Sequence, residues 1–272
     1  MKEIIIFCCV IVAFAGCKKS GLSAIKRPQD TVAAKKDTLL VSAVIGELGT
    51  SRFQYDGDKR LISETDSGTF DLGNMTMLSS FEYDADGNLI KRHVSTSFAD
   101  TVYNITYVNG QPVSATYDAS RPGVAGSDVT GTITYTVTNN KVTEIDCSGY
   151  TPNLQIKLSY SGNNIASIKA NGTFADSLVN YNYGTKQSPF ASSRFKWFLF
   201  PDWLPLTEGN FYRFAYPVNM FNENDVESFS TSRDPNSSST FTNSYNISGY
   251  PTQVVGSSQL HPNQTIVYQY TK

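Results

Sequence analysis

The residues of this chain that could do chemistry are few and scattered. Thr65-Asp66-Ser67-Gly68-Thr69 has the order of an aspartic-protease signature, in which a carboxylate acts as general acid or base. Ser63, Glu64 and Thr65 precede the aspartate where apolar residues are needed, so the stretch reads as a strand end or turn. Asp84-Ala85-Asp86-Gly87-Asn88 alternates carboxylates as a calcium loop does, but its glycine comes too early and no glutamate closes it. His93 and His261 lack metal-ligand spacing and read as surface residues. Neither a phosphate loop nor a G-x-S-x-G elbow occurs. No metal and no cofactor is expected, and catalysis is the least supported class of function.

Binding chemistry is denser. The stretch RFKWFLFPDWLPLTEGNFYRFAYPVNMF, residues 194–221, holds both tryptophans and most of the clustered aromatic rings. Pro201, Pro205 and Pro217 forbid one long helix. Two readings stand side by side. The rings fill the mouth of a larger structure as core, or some of them line a pocket for a lipid tail or stack on sugars. In the second reading the candidate ligand-binding residues are Trp197, Trp203, Tyr212 and Tyr216 with Arg213, and Asp202 and Glu208 are further polar partners.

The elements that must position these residues are repeated. FQYDGDKRLI (53–62), FEYDADGNLI (81–90), ITYVNGQPV (105–113), ITYTVTNNKV (133–142) and LSYSGNNI (158–165) share one phrase, with YNYGTK (181–186) a truncated copy and NSYNISGYP (243–251) a last one. Tyr55, Tyr83, Tyr107, Tyr135, Tyr160 and Tyr183 stand 28, 24, 28, 25 and 23 residues apart, a period that marks a repeated supersecondary unit. Ile133, Tyr135 and Val137 alternate with Thr132, Thr134 and Thr136, the period of a strand with one apolar face. Asp, Gly and Asn then supply turn hydrogen bonds and positive φ. Each copy is therefore a β-hairpin, and the chain is all-β: an antiparallel up-and-down meander of roughly 12 to 16 strands. So long a sheet must hide its edges, so a soluble barrel, or a strongly curled sheet, with its apolar face inward is expected. Most runs are shorter than the strands of a membrane-spanning barrel. The aromatic-rich segment, about residues 190–240, is an irregular insert.

The ends and the composition bound the setting. Ile4 to Gly16 is an apolar run of signal-peptide length, ending Phe14-Ala15-Gly16-Cys17. That ending resembles the bacterial lipobox, which implies a signal peptide at 1–16 and lipidation of Cys17. Phe14 stands where leucine is usual. Residues 17–37 read as the lipidated cysteine and a flexible tether, and 38–272 as a single domain. By resemblance to bacterial lipoprotein sorting signals, Lys18 after the cysteine, with no acidic run, implies an outer-membrane anchor on the periplasmic face, with the cell surface as the alternative. Beyond Cys17 only Cys147 remains, read as a small buried hydrophobe. The net charge of −2 offers no field for nucleic acid. Asp30, Asp37, Asp100 and Asp176, each followed by Ser or Thr and an apolar residue, resemble the Bacteroidetes O-glycosylation sequon.

YNYGTKQSPF (181–190), MFNENDVES (220–228) and YNISGYPTQVV (245–255) follow the hairpins in order. Together they resemble a group of Bacteroidetes lipoproteins that carry a domain of unknown function described as porin-like in fold. The resemblance extends over nearly the whole length after the tether. It departs at Ser188, where Asn is expected, and at Asn222-Glu223-Asn224, where a Ser-Lys-Asn type sequence is expected. It implies a β-barrel-like meander and an outer-membrane lipoprotein, and it implies no activity. Two functions are expected at this point: an envelope lipoprotein binding a lipid, glycan or small apolar ligand, or a structural lipoprotein with a filled barrel and an envelope protein partner.

Overall fold

The computed structural model describes residues 38–272 apart from 48, 71–72, 122, 124–125, 127, 150–153, 172–176, 202–217, 233–235, 237 and 259–262. Its strands run in sequence: β1 Leu40–Gly46, β2 Gly49–Tyr55, β3 Leu61–Phe70, β4 Gly73–Tyr83, β5 Leu89–Thr96, β6 Asp100–Val108, β7 Gln111–Ser120 and β8 Val129–Thr138. They continue with β9 Lys141–Ser148, β10 Leu154–Ser161, β11 Asn164–Asn171, β12 Ser177–Gln187, β13 Asn224–Thr231, β14 Ser239–Tyr245, β15 Pro251–Ser257 and β16 Gln264–Thr271. Each strand pairs with its neighbour in sequence, and β1 pairs with β16 to close a barrel of 16 strands. The antiparallel up-and-down meander expected from the repeats is the architecture found.

Alternation decides which way the wall faces. On β8, Ile133 and Tyr135 are buried while Thr130, Thr132, Thr134 and Thr136 are exposed. On β10, Ile156 and Leu158 point in while Lys157 and Ser159 point out. On β12, Val179 and Tyr181 are buried between exposed Asn180 and Asn182. A membrane-spanning barrel needs an apolar band outside and a polar lumen. Here the polarity is reversed, and the lumen is the core.

Even- to odd-strand turns all lie at one rim, and two kinds of turn recur there. Asn109-Gly110 and Asn139-Asn140 take positive φ at both central positions, the two-residue turn whose twist matches the strands. Longer turns begin with Asp56, Asp84 or Asn246. The Asp84 carboxylate accepts the backbone N–H groups of Asp86 and Asn88 and the side-chain amide of Asn88. Asp56 accepts those of Asp58 and Arg60 and pairs with the Arg60 guanidinium at 2.7 Å. Asn246 accepts those of Ser248 and Tyr250. The calcium-like stretch is thus a turn that uses its own leading carboxylate.

A tyrosine stands at the turn end of most of the even strands. A register shift precedes Tyr55, Tyr83, Tyr107, Tyr160 and Tyr245. Such a bulge re-aims the side chain. Tyr55 donates to the Val41 carbonyl, Tyr83 to Leu61, Tyr107 to Leu89, Tyr160 to Val142, Tyr183 to Ile165 and Tyr270 to Pro251. Each hydroxyl reaches the carbonyl of the first or second residue of the preceding odd strand, so neighbouring hairpins are stitched at the rim.

Three expectations are corrected. Tyr135 is not a member of the tyrosine series: in β8 the register shift falls before Val137, which takes the turn-end position. Tyr135 stands one pair deeper and donates to the Leu199 carbonyl at 2.9 Å. Asp66 lies within β3 rather than at a strand end or turn, buried and accepting a hydrogen bond from Ser51. The irregular insert is shorter than 190–240, because strand pairing resumes at Asn224.

Candidate functional site

The insert joins β12 to β13 at the turn rim, and its described parts are residues 188–201 and 218–223. Its two feet are fixed by buried polar side chains. Ser188 donates to the Asn219 carbonyl at 2.6 Å. Asn222 accepts the Ile165 N–H at 2.8 Å and donates to the Tyr183 hydroxyl. Ser188 and Asn222 both fall where the sequence departs from its resemblance, at Ser188 and at Asn222-Glu223-Asn224, and both are fully buried at 0% exposure.

Between the feet, aromatic rings enter the lumen. Phe190 meets Phe53 edge-on at 5.4 Å, Phe195 lies against Phe81 at 5.5 Å, and Phe200 against Tyr103 at 4.9 Å. Arg92, buried inside the wall, lies over Phe200 at 4.9 Å and faces Ser79. The insert therefore plugs this part of the barrel, in line with its reading as core.

A cleft lies where the described part of the plug meets the rim. Its volume is about 230 Å³, and it lies between the β2–β3 turn, the β4–β5 turn and residues 192–199. Residues 194–197 alternate: Arg194 and Lys196 are exposed, while Phe195 and Trp197 are buried beneath them. Lys196 lies over the Trp197 ring at 4.7 Å and Arg60 over the Tyr83 ring at 4.9 Å. Lys59, Arg60, Arg194 and Lys196 face a single lining carboxylate, Asp58. Trp197 is only 4% exposed, and its indole N–H has no hydrogen-bond partner among the described residues. Burial pushes the Tyr83 hydroxyl far above its ordinary pKa, so it stays a neutral donor.

Two wider depressions, about 560 and 550 Å³, run along the wall between β6 and β11 and are lined mainly by Thr, Ser, Asp and Asn side chains. His93 is half-exposed on β5, and its Nε2 shares a hydrogen bond with the Asp100 carboxylate at 2.6 Å. Cys147 is buried on β9, as expected of a small hydrophobe.

Of the residues read from sequence as a binding set, Trp197 lines the cleft. Trp203, Tyr212, Arg213 and Tyr216, with Asp202 and Glu208, lie outside the described residues, as does Cys17. Lys59, Arg60, Arg194 and Lys196 were not singled out by sequence reading, and Tyr83 was read as a repeat tyrosine rather than a site residue. The alternation Arg-Phe-Lys-Trp carried a signal for two of them. The turn residues come to the site only through barrel closure.

No protein-family model matches the chain, and no curated protein matches it. Solved structures do. A porin-like protein from Bacteroides uniformis shares 14% identity, with 85% of this chain and 98% of that one covered, at a TM-score of 0.54. A porin-like protein from Bacteroides vulgatus shares 11% identity over 86% of this chain and 99% of that one, at a TM-score of 0.38. The pore of the Photorhabdus luminescens Tc holotoxin is matched at 0.23, with only 12% of that chain covered. The last two scores carry no argument. The first shows the fold: this chain has the barrel of a porin-like Bacteroides protein, with a wall polar outside and apolar within.

Proposed function

We propose that the protein is a non-catalytic envelope lipoprotein, anchored in the outer membrane through Cys17 on its periplasmic face, that binds a small ligand at the turn rim. The observation that carries this reading is the cleft of about 230 Å³ walled by Trp197, Phe195 and Tyr83. Rigid β-turns on one side and a packed plug on the other hold it preformed, the usual condition of a ligand site. Its size suits a headgroup or a single sugar better than a lipid tail. The carboxylates that suggested chemistry have structural uses instead: Asp84 closes a turn, and Asp66 is engaged by Ser51 inside the wall.

Native mass spectrometry of protein purified gently from its own host, in a Cys17-deleted form directed to the periplasm, tests the ligand. A reproducible extra mass, absent from both Trp197→Ala and the milder Trp197→Phe, is expected. A bare mass under conditions that retain ligands on known carriers would overturn it. Cys17→Ser should release the chain from the membrane fraction, and retention there would count against the anchor.

A second reading is favoured by the plugged lumen. A barrel filled by Phe190, Phe198 and Phe200 serves as a rigid spacer or docking body for an envelope protein and needs no small ligand. A bare mass together with a co-purifying protein partner would select it.

A further inference from the structure

We infer that the rim cleft recognises an acid group, a phosphate or a carboxylate carried by a sugar or by a lipid headgroup. The inference rests on the reading of the cleft as a binding site and specifies its chemistry. Four cations line it against one carboxylate, and they come from two different segments, the β2–β3 turn and the plug. Arg60 is partly neutralised by Asp56 at 2.7 Å and Asp58 at 3.5 Å. Lys59, Arg194 and Lys196 have no ion pair among the described residues, which leaves the cleft with surplus positive charge while the chain as a whole is negative at −2.

The aromatic rings point the same way. Sugar stacking needs an open ring face, and here Arg60 covers Tyr83 while Lys196 covers Trp197. A neutral sugar would have to displace these cations, whereas an acid group meets them in place. Trp197 lines the cleft, and its buried N–H is a donor with no acceptor among the described residues. An unmade buried hydrogen bond is unfavourable, and indole can only donate. The missing partner is therefore an acceptor, and an acid oxygen supplies one. Charge-assisted hydrogen bonds of this kind are the strong ones.

The test is calorimetric titration of the full chain with four probes: inorganic phosphate, glucose 6-phosphate, glycerol phosphate as a lipid-headgroup fragment, and glucose. The acids should bind and glucose should not. Binding should weaken with salt. Arg194→Gln with Lys196→Gln should weaken it at least about tenfold, the loss expected of charge-assisted hydrogen bonds. Both side chains are exposed, so the thermal midpoint should hold. Trp197→Phe should weaken it as well without emptying the wall. Tighter binding of glucose 6-phosphate or of glycerol phosphate would identify the sugar or the lipid source. Equal binding of glucose and glucose 6-phosphate would overturn the inference and leave the cleft as a binding site. Acid binding unaffected by the Arg194 and Lys196 changes would overturn it too. No binding of any probe at about millimolar concentration, the range of weak specific ligands, would overturn both the inference and the ligand reading.

Discussion

The ring of Tyr117 occupies the space that a side chain on Gly131 would need. The two residues face each other across β7 and β8, and a Cβ on Gly131 would lie 2.3 Å from the ring and 2.3 Å from the Ser148 carbonyl oxygen. An aromatic ring laid over a cross-strand glycine fills the gap in the sheet and sets its register. Tyr117 also donates to that Ser148 carbonyl at 3.2 Å, tying three strands together. Gly131→Ala should therefore destabilise the barrel by about 1–3 kcal/mol or more, because a backbone carbonyl cannot rotate away. Gly57→Ala, where nothing lies within 4 Å, is the control and should change stability little. Equal urea midpoints for the two variants would contradict this account.

Removing one rim tyrosine hydroxyl should be felt globally. Tyr83→Phe keeps the ring and deletes the bond to the Leu61 carbonyl at 2.8 Å. The expected loss is about 1 kcal/mol for one partly buried hydrogen bond. In a domain of this size that lowers the melting temperature by roughly 2–4 °C. Calorimetry that shows no change would mean water replaces the bond without loss.

Acid should loosen the longer turns first. Hydrogen bonds from the Asn88 side chain and backbone hold Asp84 below its ordinary pKa. At Asp56, slight burial acts upward but is outweighed by the bonds from Arg60 and the Asp58 backbone, and its pKa is lowered as well. A lowered folded pKa contributes stability above the unfolded value, near 3.9, that is lost as pH falls through the folded value. Asn246 performs the same role without a charge. The double variant Asp56→Asn with Asp84→Asn should therefore show a smaller loss of stability between neutral pH and pH of about 3. Denaturant titrations at the two pH values decide it, and an unchanged difference would refute the assignment.

Lys59 holds a left-handed conformation, φ 66°, where the equivalent residues of the other two long turns are Gly87 at 80° and Gly249 at 82°. A side chain there is strained by about 1 kcal/mol, less the entropy that glycine gains in the unfolded chain. Lys59→Gly should raise the urea midpoint, and Gly87→Lys should lower it. Reversed signs would show that the lysine side chain contributes more than its backbone strain removes.

The barrel was legible because its information is local. Thr132 to Val137 alternate strictly, and Asp84-Ala85-Asp86-Gly87-Asn88 names its own turn. The plug was legible as an aromatic interruption but not in extent, since Asn224 to Thr231 alternate poorly and pair only because β12 lies beside them. Tyr135 was misplaced in the series because spacing alone cannot distinguish a turn-end tyrosine from one a pair deeper. The cleft was the least visible. Arg60 and Trp197 are far apart in the chain, and only closure of the ring sets them at one rim.

That closure sets an order of events for the nascent chain. Fifteen of the strand pairings join neighbours in sequence and can form as the chain is made, whereas the pairing of Val44 with Tyr268 waits for the last strand. Until β16 arrives, β1 and β15 both present unpaired edges, the kind of surface on which copies of a chain join one another. Loss of the final strand by a premature stop would thus remove only a small part of the length yet leave two adhesive edges for good. A chain cut short there would be a ring with one stave missing.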